Sequence, residues 1–380
     1  MRTAVQRRGA LALCVVLLFC LLAGCTGHSG EKNWSELTPQ STTELKYAKQ
    51  FTIEDYGNGL QLITIAQDRQ YLLVPEGAQA PAGVPEEVTV LQQPIQNIYL
   101  TATAAMDLFR ALDGLDAIRL SGTKESGWYL PEARQAMEAG DILYAGKYSA
   151  PDYELILAQQ CGLAVESTMI YHNPEVKEQL ESLGIPVLVD YSSYESDPLG
   201  RMEWIKLYGA LLGKEEEAAR IFDEEVAAVQ PVLNQTNTGK TVAFFYITNT
   251  GTVNVRKSGD YIAQLIRMAG GVYVPDNQNG DEENALSTMN IDMESFYAAV
   301  HDADVLIYNS TIDGELASLD ELLKKSELLA DFKAVQNGEV WCTGKNMFQS
   351  SMSLGRMILE INAVLTQQAP GGLTYLYRLS

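Results

Sequence analysis

Short apolar runs alternate along the chain with helical repeats, and this alternation defines its predicted elements. The stretch "FTIEDYGNGLQLITIA" carries alternating residues around a Gly-Asn-Gly turn and predicts a β-hairpin. After a proline-rich turn at Pro81 to Pro85, "IQNIYL" reads as a strand and "TATAAMDLFRALDGL" as a helix closed by Gly114. The strand-like runs "DILYAG", "GLAVES" and "IPVLVD" follow, interleaved with the helical "PDYELILAQQ" and "NPEVKEQLESLG". Short apolar strands separated by one-faced helices predict a parallel sheet covered on both sides.

From Leu199 to Leu233 the pattern changes. Met202, Ile205, Tyr208 and Leu212 recur at helical spacing, which predicts one long helix with a bend near Gly213 and a stop at Pro231. That is longer than a crossover helix needs to be. The strand and helix alternation then restarts with "TVAFFYIT" and runs through "DYIAQLIRMAGG", "DMESFYAAVHDA", "DVLIYN", "SLDELLKKSELLADF" and "EVWC" to a terminal helix, "SLGRMILEINAVLTQ". The predicted class is α/β: two α/β lobes, each with a largely parallel sheet, joined by one long backbone helix, with a ligand cleft between them. The lobes span 51–196 and 234–380, and the linking helix 197–233. One large single domain is the alternative, disfavoured by the complete new set of strands after the long helix.

The first residues read as a processing signal. Arg2, Arg7 and Arg8 precede "ALALCVVLLFCLLAG", an apolar run too short to span a bilayer comfortably, so 1–24 is predicted to be a signal peptide. "LAGC" at Leu22 to Cys25 resembles the bacterial lipobox, which implies cleavage before Cys25 and diacylation of its thiol. A secreted protein cleaved elsewhere is the alternative. The polar stretch 25–50 then reads as a lipidated tether holding the folded part off the membrane.

Composition narrows the function. The 380 residues carry 49 acids against 27 lysines and arginines, a formal charge of -22; loss of 1–24 removes three arginines and no acid, taking it to -25. This charge disfavours nucleic acid and anionic membrane surfaces as partners, because phosphate binding needs a basic footprint. Of five cysteines only Cys161 and Cys342 remain beyond Cys25, without C-x-x-C spacing, and they read as two thiols in preference to a disulfide framework. Three histidines, His28, His172 and His301, make a bare transition-metal cage or a resident cofactor unexpected. No G-x-S-x-G, H-E-x-x-H, P-loop or G-x-G-x-x-G after a strand is present, so no catalytic residue is assigned.

The run "ESLGIPVLVD", "YGALLGKEEEAARIF" and "DADVLIYN", in that order behind a lipobox, resembles the ABC-importer substrate-binding proteins for iron complexes and cobalamin. The resemblance covers roughly residues 90–368. It implies two lobes on a rigid backbone helix with little closure on ligand binding, and a glutamate on top of each lobe that pairs with arginines of the permease dimer. Glu154 in "APDYELIL" and Glu294 in "NIDMESFY" match those positions, each in the first turn of a predicted helix. A carboxylate is favoured there in any protein, so helix initiation alone is the competing explanation.

Ligand candidates come from loops after strands. Arg256 and Lys257 in "TNTGTVNVRKSGDY" offer positive charge for a carboxylate, catecholate or propionate of an anionic chelate, with Tyr246 and Tyr261 nearby in sequence. Lys124, Trp128, Tyr129, Lys147 and Tyr148 are the first-lobe candidates, and Trp341 and Asn346 a third loop. Tyr194 and Glu195 either line the cleft or cap the linking helix. Segment 122–142 is longer than in many relatives and is expected to reshape the cleft entrance. The function that follows is a monomeric, lipid-anchored, extracytoplasmic receptor that hands a ferric siderophore to an ABC permease with its cytoplasmic ATPase. Heme or a corrinoid is the alternative ligand, and a lipid-anchored enzyme or sensor the alternative class.

Overall fold

The computed structural model describes residues 33–276, 288–369 and 372–380. The signal run and Cys25 lie outside the described residues. Strands β1 (Ser41–Thr42), β2 (Phe51–Asp55), β3 (Gln61–Ile65), β4 (Arg69–Val74) and β5 (Val88–Gln92) form a sheet in sequence order, antiparallel except for the β4 and β5 pair. Alternation places Phe51, Ile53, Ile63, Ile65 and Leu73 on the main core. Leu62, Leu72 and Val74 face the other way, under Trp34 and Tyr56.

The first lobe follows: β6 (Ile98–Leu100), α1 (Ala105–Ala111), β7 (Ile118–Ser121), α2 (Pro131–Ala139), β8 (Leu143–Tyr144), a small hairpin of β9 (Gly146–Lys147) and β10 (Ala150–Pro151), α3 (Tyr153–Ala158), β11 (Ala164–Ser167), α4 (Pro174–Ser182) and β12 (Val187–Asp190). Its sheet runs β12-β11-β6-β7-β8, all parallel. Both faces are buried. Leu100, Val165 and Leu188 meet the main core, and Tyr99, Ala164 and Val187 meet a second cluster with Ile156 and Leu180.

The single linking helix is replaced by three: α5 (Pro198–Glu203), α6 (Ile205–Leu212) and α7 (Glu215–Leu233). Gly213 takes a left-handed φ of 67°, which ends α6 and turns the chain back, so that α6 and α7 pack on each other. The close approach needs Gly209, where an added Cβ would lie 2.5 Å from the Ala218 methyl. Residues Ile205 to Leu211 are all buried, so α6 belongs to the core while α7 is the long connector, packed also against the last helix. Pro231 does not stop α7, which continues to Leu233. In the final turn the proline removes one backbone bond at an exposed position, and Asn234 N–H still reaches Gln230 O at 3.1 Å.

The second lobe comprises β13 (Thr241–Ile247), β14 (Val253–Arg256), α8 (Tyr261–Met268), β15 (Val272–Val274), β16 (Thr288–Ile291), α9 (Met293–Val300), β17 (Val305–Tyr308), α10 (Leu319–Lys325), β18 (Val340–Thr343), α11 (Leu354–Leu365) and β19 (Leu376–Arg378). The sheet order is β16-β14-β13-β17-β18-β19, with β15 beside the start of β13. Strands β15, β13, β17 and β18 are mutually parallel, while β14, β16 and β19 join antiparallel, so this sheet is mixed.

The tether expected over 25–50 is corrected for residues 33–50. Here β1 pairs with β2, Ala48 is buried, and the amides of Lys46 to Gln50 are bound by two buried carboxylates, Glu203 and Glu195. The segment is polar because its backbone, more than its side chains, is what binds.

Candidate ligand cleft and docking faces

Loops leaving the carboxyl ends of parallel strands are where α/β folds place ligands. Ten large hydrophobic side chains are exposed among the described residues, and Tyr129, Tyr144, Met169, Tyr171, Tyr194 and Ile312 stand at or after such strand ends. In the first lobe apolar exposure is thus concentrated at the carboxyl edge of the sheet, whereas in the second lobe only Ile312 stands there.

The lobes touch on two sides of this region. On one, Tyr129 N–H donates to Gln349 Oε1 (2.7 Å), Gln349 Nε2 to Gly127 O (2.8 Å), Ser351 Oγ to Ala104 O (2.8 Å) and Met352 N–H to Asp107 Oδ2 (2.8 Å). On the other, Arg201 of α5 lies with its guanidinium 3.5 Å from the centre of the Tyr261 ring of α8. Its Nε donates to Glu195 O (3.0 Å) and its Nη2 to Ser193 O (2.5 Å). Burial and then the neighbouring Arg256 pull the Arg201 pKa below the usual guanidinium range.

Arg256 ends β14 mostly buried, 3.5 Å from Asp260, with its guanidinium 5.2 Å from the centre of the Phe348 ring. Asp260 also caps α8 by accepting Ile262 N–H at 2.9 Å, and burial raises its pKa against the pull of Arg256. The structure therefore brings together Arg256 and Tyr261, and adds Arg201, Asp260 and Phe348, which sequence reasoning missed. Of the two guanidiniums, Arg256 pairs with the Asp260 carboxylate, while Arg201 donates to backbone carbonyls and lies over the Tyr261 ring. Asp260 is the capping aspartate directly before the "YIAQLIRM" helix, and that position is the signal that would have found it.

The remaining candidates scatter. Lys257 and Asn346 are half-buried in their loops, and Tyr246 is half-buried in β13 opposite Asn254. Lys147 is exposed on the β9 and β10 hairpin, with Tyr148 half-buried at its turn. Lys124 sits 5.5 Å over the Tyr144 ring. Trp128 is corrected: its ring is buried in the main core and its indole N–H is bonded to Ser121 Oγ at 3.2 Å, so only Tyr129 beside it is exposed. Trp341 is also corrected. It lies in the first half of β18, under the Arg378 guanidinium of β19 (4.9 Å) and beside Leu373 and Leu376, away from the strand's carboxyl end. Segment 122–142 contains α2, and its loop is what supplies Gly127 and Tyr129 to the lobe contact.

Beneath the loop after β6, Glu166 of β11 is fully buried, with Thr101 Oγ1 donating to its Oε2 and no partner for Oε1 among the described residues. Burial pushes its pKa up to about 7, against the lowering effect of the Thr101 bond. The folded state then holds a proton that the unfolded state releases. This stabilisation is complete below pH 4.5 and is lost as pH rises through about 7. Relative to Glu166→Gln, the wild type is expected to lose about 3 kcal/mol across that window. Urea titrations of both proteins at several pH values check this, and a pH-independent difference would refute it.

Glu154 and Glu294 stand exposed in the first turns of α3 and α9. The two helices open alike. Asp152 accepts Leu155 N–H at 3.0 Å and Asp292 accepts Ser295 N–H at 2.7 Å, leaving each glutamate, two residues later, without a side-chain partner among the described residues.

Two α/β lobes joined by helices, with aromatic and cationic side chains gathered where they meet, frame a candidate binding cleft. A family model described as "Periplasmic binding protein" matches residues 101–347. The chain belongs to this family of periplasmic binding proteins, whose members bind for transport and do not catalyse. An uncharacterized lipoprotein of Methanocaldococcus jannaschii is 24% identical over 400 residues, covering 95% of this chain and 93% of its own. Among solved structures, the periplasmic heme-binding protein HutB of Vibrio cholerae superposes with a TM-score of 0.58 at 18% identity, over 72% of this chain and 99% of its own. An ABC-type Fe3+-hydroxamate transport protein of Saccharomonospora viridis gives 0.54 at 21% identity, over 72% of this chain and 93% of its own. Family membership, with a lipoprotein among the relatives, supports an extracytoplasmic, membrane-anchored location.

Proposed function

We propose that the chain, anchored through acylated Cys25, captures an anionic iron chelate of the siderophore type in the cleft and delivers it to an ABC permease dimer through Glu154 and Glu294. The observation that carries the ligand reading is the pair Arg201 and Arg256, set among the Tyr261 and Phe348 rings in a protein of net charge -22. Exposed acids repel an anion from most of the surface, so a site for one must be built from local cations. Arginine on an aromatic ring presents a weakly hydrated, fork-shaped donor suited to oxyanions. Anchoring at the membrane raises the effective concentration of loaded receptor at the permease.

The test is quenching of intrinsic fluorescence of the mature chain, without its lipid, by ferric catecholate, ferric hydroxamate, heme and cobalamin. Tight quenching by an iron chelate and not by its metal-free form is the expected result. Binding of cobalamin or heme alone, or of none of the four, would overturn the siderophore reading.

A further inference from the structure

We propose that Arg69, Tyr171, Tyr191 and Tyr194 form an aryl-binding subsite at the rim of the cleft, built partly by the N-terminal sheet, which selects chelates with anionic aromatic arms over aliphatic hydroxamates. This rests on the iron-chelate reading above and narrows it to the catecholate class.

The three tyrosines follow the carboxyl ends of the neighbouring parallel strands β11 and β12. Tyr171 lies in a 3-10 turn after β11, and Tyr191 and Tyr194 flank and end one after β12. Their rings form a row, with centroids 6.3 Å apart for Tyr171 and Tyr191 and 5.3 Å for Tyr191 and Tyr194. The Arg69 guanidinium lies 5.1 Å from both the Tyr171 and Tyr191 centroids. One of its faces is thus committed to rings of the first lobe. Rings placed there for packing would be buried, yet Tyr194 is 47% exposed, Tyr171 38%, and Met169 beside them 46%. A contiguous patch of that kind on a soluble surface marks a binding surface.

Charge selects the sign of the guest. Among the described residues Arg69 pairs with one carboxylate, Asp68 at 3.1 Å, and that side chain is 71% exposed. Its positive charge is therefore poorly neutralised in a strongly acidic protein. The patch is also continuous with the base of the cleft, because Ser193 in the same turn is bound by Arg201. A guest spanning both would meet Arg69 and the tyrosine row at one end and Arg201 with Arg256 at the other. An aromatic anion suits the rim on both counts: its face stacks on Tyr194 and its oxygens reach a guanidinium. A hydroxamate arm offers no ring. Arg69 lies outside the matched family region, which begins at residue 101, so the N-terminal sheet has a part in ligand choice as well as in the core.

The test is a titration of the mature chain, the wild type against Tyr194→Ala, Tyr194→Phe and Arg69→Gln. The probes are a ferric tris-catecholate and a ferric tris-hydroxamate. The wild type is expected to prefer the catecholate. Tyr194→Ala and Arg69→Gln should each weaken it about tenfold while leaving hydroxamate binding alone, and Tyr194→Phe should keep it. Because Tyr194 is half exposed, its removal leaves the fold intact and keeps the test readable if Arg69→Gln loosens the sheet. A wild type that prefers hydroxamate, or variants that weaken both probes equally or neither, would overturn the subsite and leave the chelate reading standing. A wild type that binds no chelate would overturn both.

Discussion

Glu203→Ala is expected to destabilise the protein by about 4 kcal/mol, a larger loss than removal of most single core methyl groups. The side chain is fully buried on α5, and both oxygens are saturated. Oε1 accepts Lys46 N–H at 2.9 Å and Lys206 Nζ at 2.8 Å, while Oε2 accepts Tyr47 N–H at 2.7 Å and Ala48 N–H at 2.9 Å. Alanine strands three backbone donors and leaves the buried Lys206 ammonium with the Glu44 carbonyl, 2.9 Å away, and the Phe222 ring as its remaining partners among the described residues. An unpaired buried charge and several orphaned amides are costs of the largest kind a single substitution makes. Glu203→Gln keeps the shape and one acceptor, so it should lose clearly less. Urea unfolding gives the values, and amide exchange locates the damage, with protection at 46–48, the amides bound by Glu203, collapsing first. A loss under about 1 kcal/mol would mean that the N-terminal strap is held by something else.

The same strap shows where sequence reasoning stops. Parallel strands are legible because burial on both faces makes them uninterrupted apolar runs, and "IPVLVD" indeed gives β12 at Val187–Asp190. The segment before residue 50 reads as unstructured for an equally local reason, its polarity. Its partners, Glu195 and Glu203, lie about 150 residues away, and nothing in a local window encodes them. Helical periodicity likewise survives the break at Gly213, because α6 and α7 are both helical; spacing reports that a helix exists and says nothing of where its axis turns. At the site, Arg256 is legible as a basic residue in a loop, whereas Arg201 is masked by the helix pattern around it. Trp128 and Trp341 are candidates by residue type alone, which carries no information on which side of a sheet a ring is spent.

If the proposed docking role holds, reversing both charges, Glu154→Arg with Glu294→Arg, is expected to reduce chelate uptake by cells at least about a hundredfold while leaving chelate affinity unchanged. The first half follows from geometry. Each glutamate is exposed in the first turn of a helix whose capping aspartate already satisfies the third amide, so the carboxylate is free for a guanidinium of the permease. Reversal replaces each such pair by a like-charge contact, and two of these at once oppose docking at both lobes. The second half follows from separation. Neither residue takes part in the Arg201 and Arg256 cluster, and losing a favourable charge at each helix start costs only about 0.3–1 kcal/mol of stability. Single reversals should fall between wild type and double variant, and Glu154→Gln with Glu294→Gln should lose less than the reversal, since it removes attraction without adding repulsion. Uptake of radio-iron chelate by cells carrying each variant, beside chelate titration of the purified proteins, separates delivery from capture. Wild-type uptake by the double reversal would remove the docking role of these two helices, whereas a parallel fall in affinity would mean that the substitutions reach the cleft.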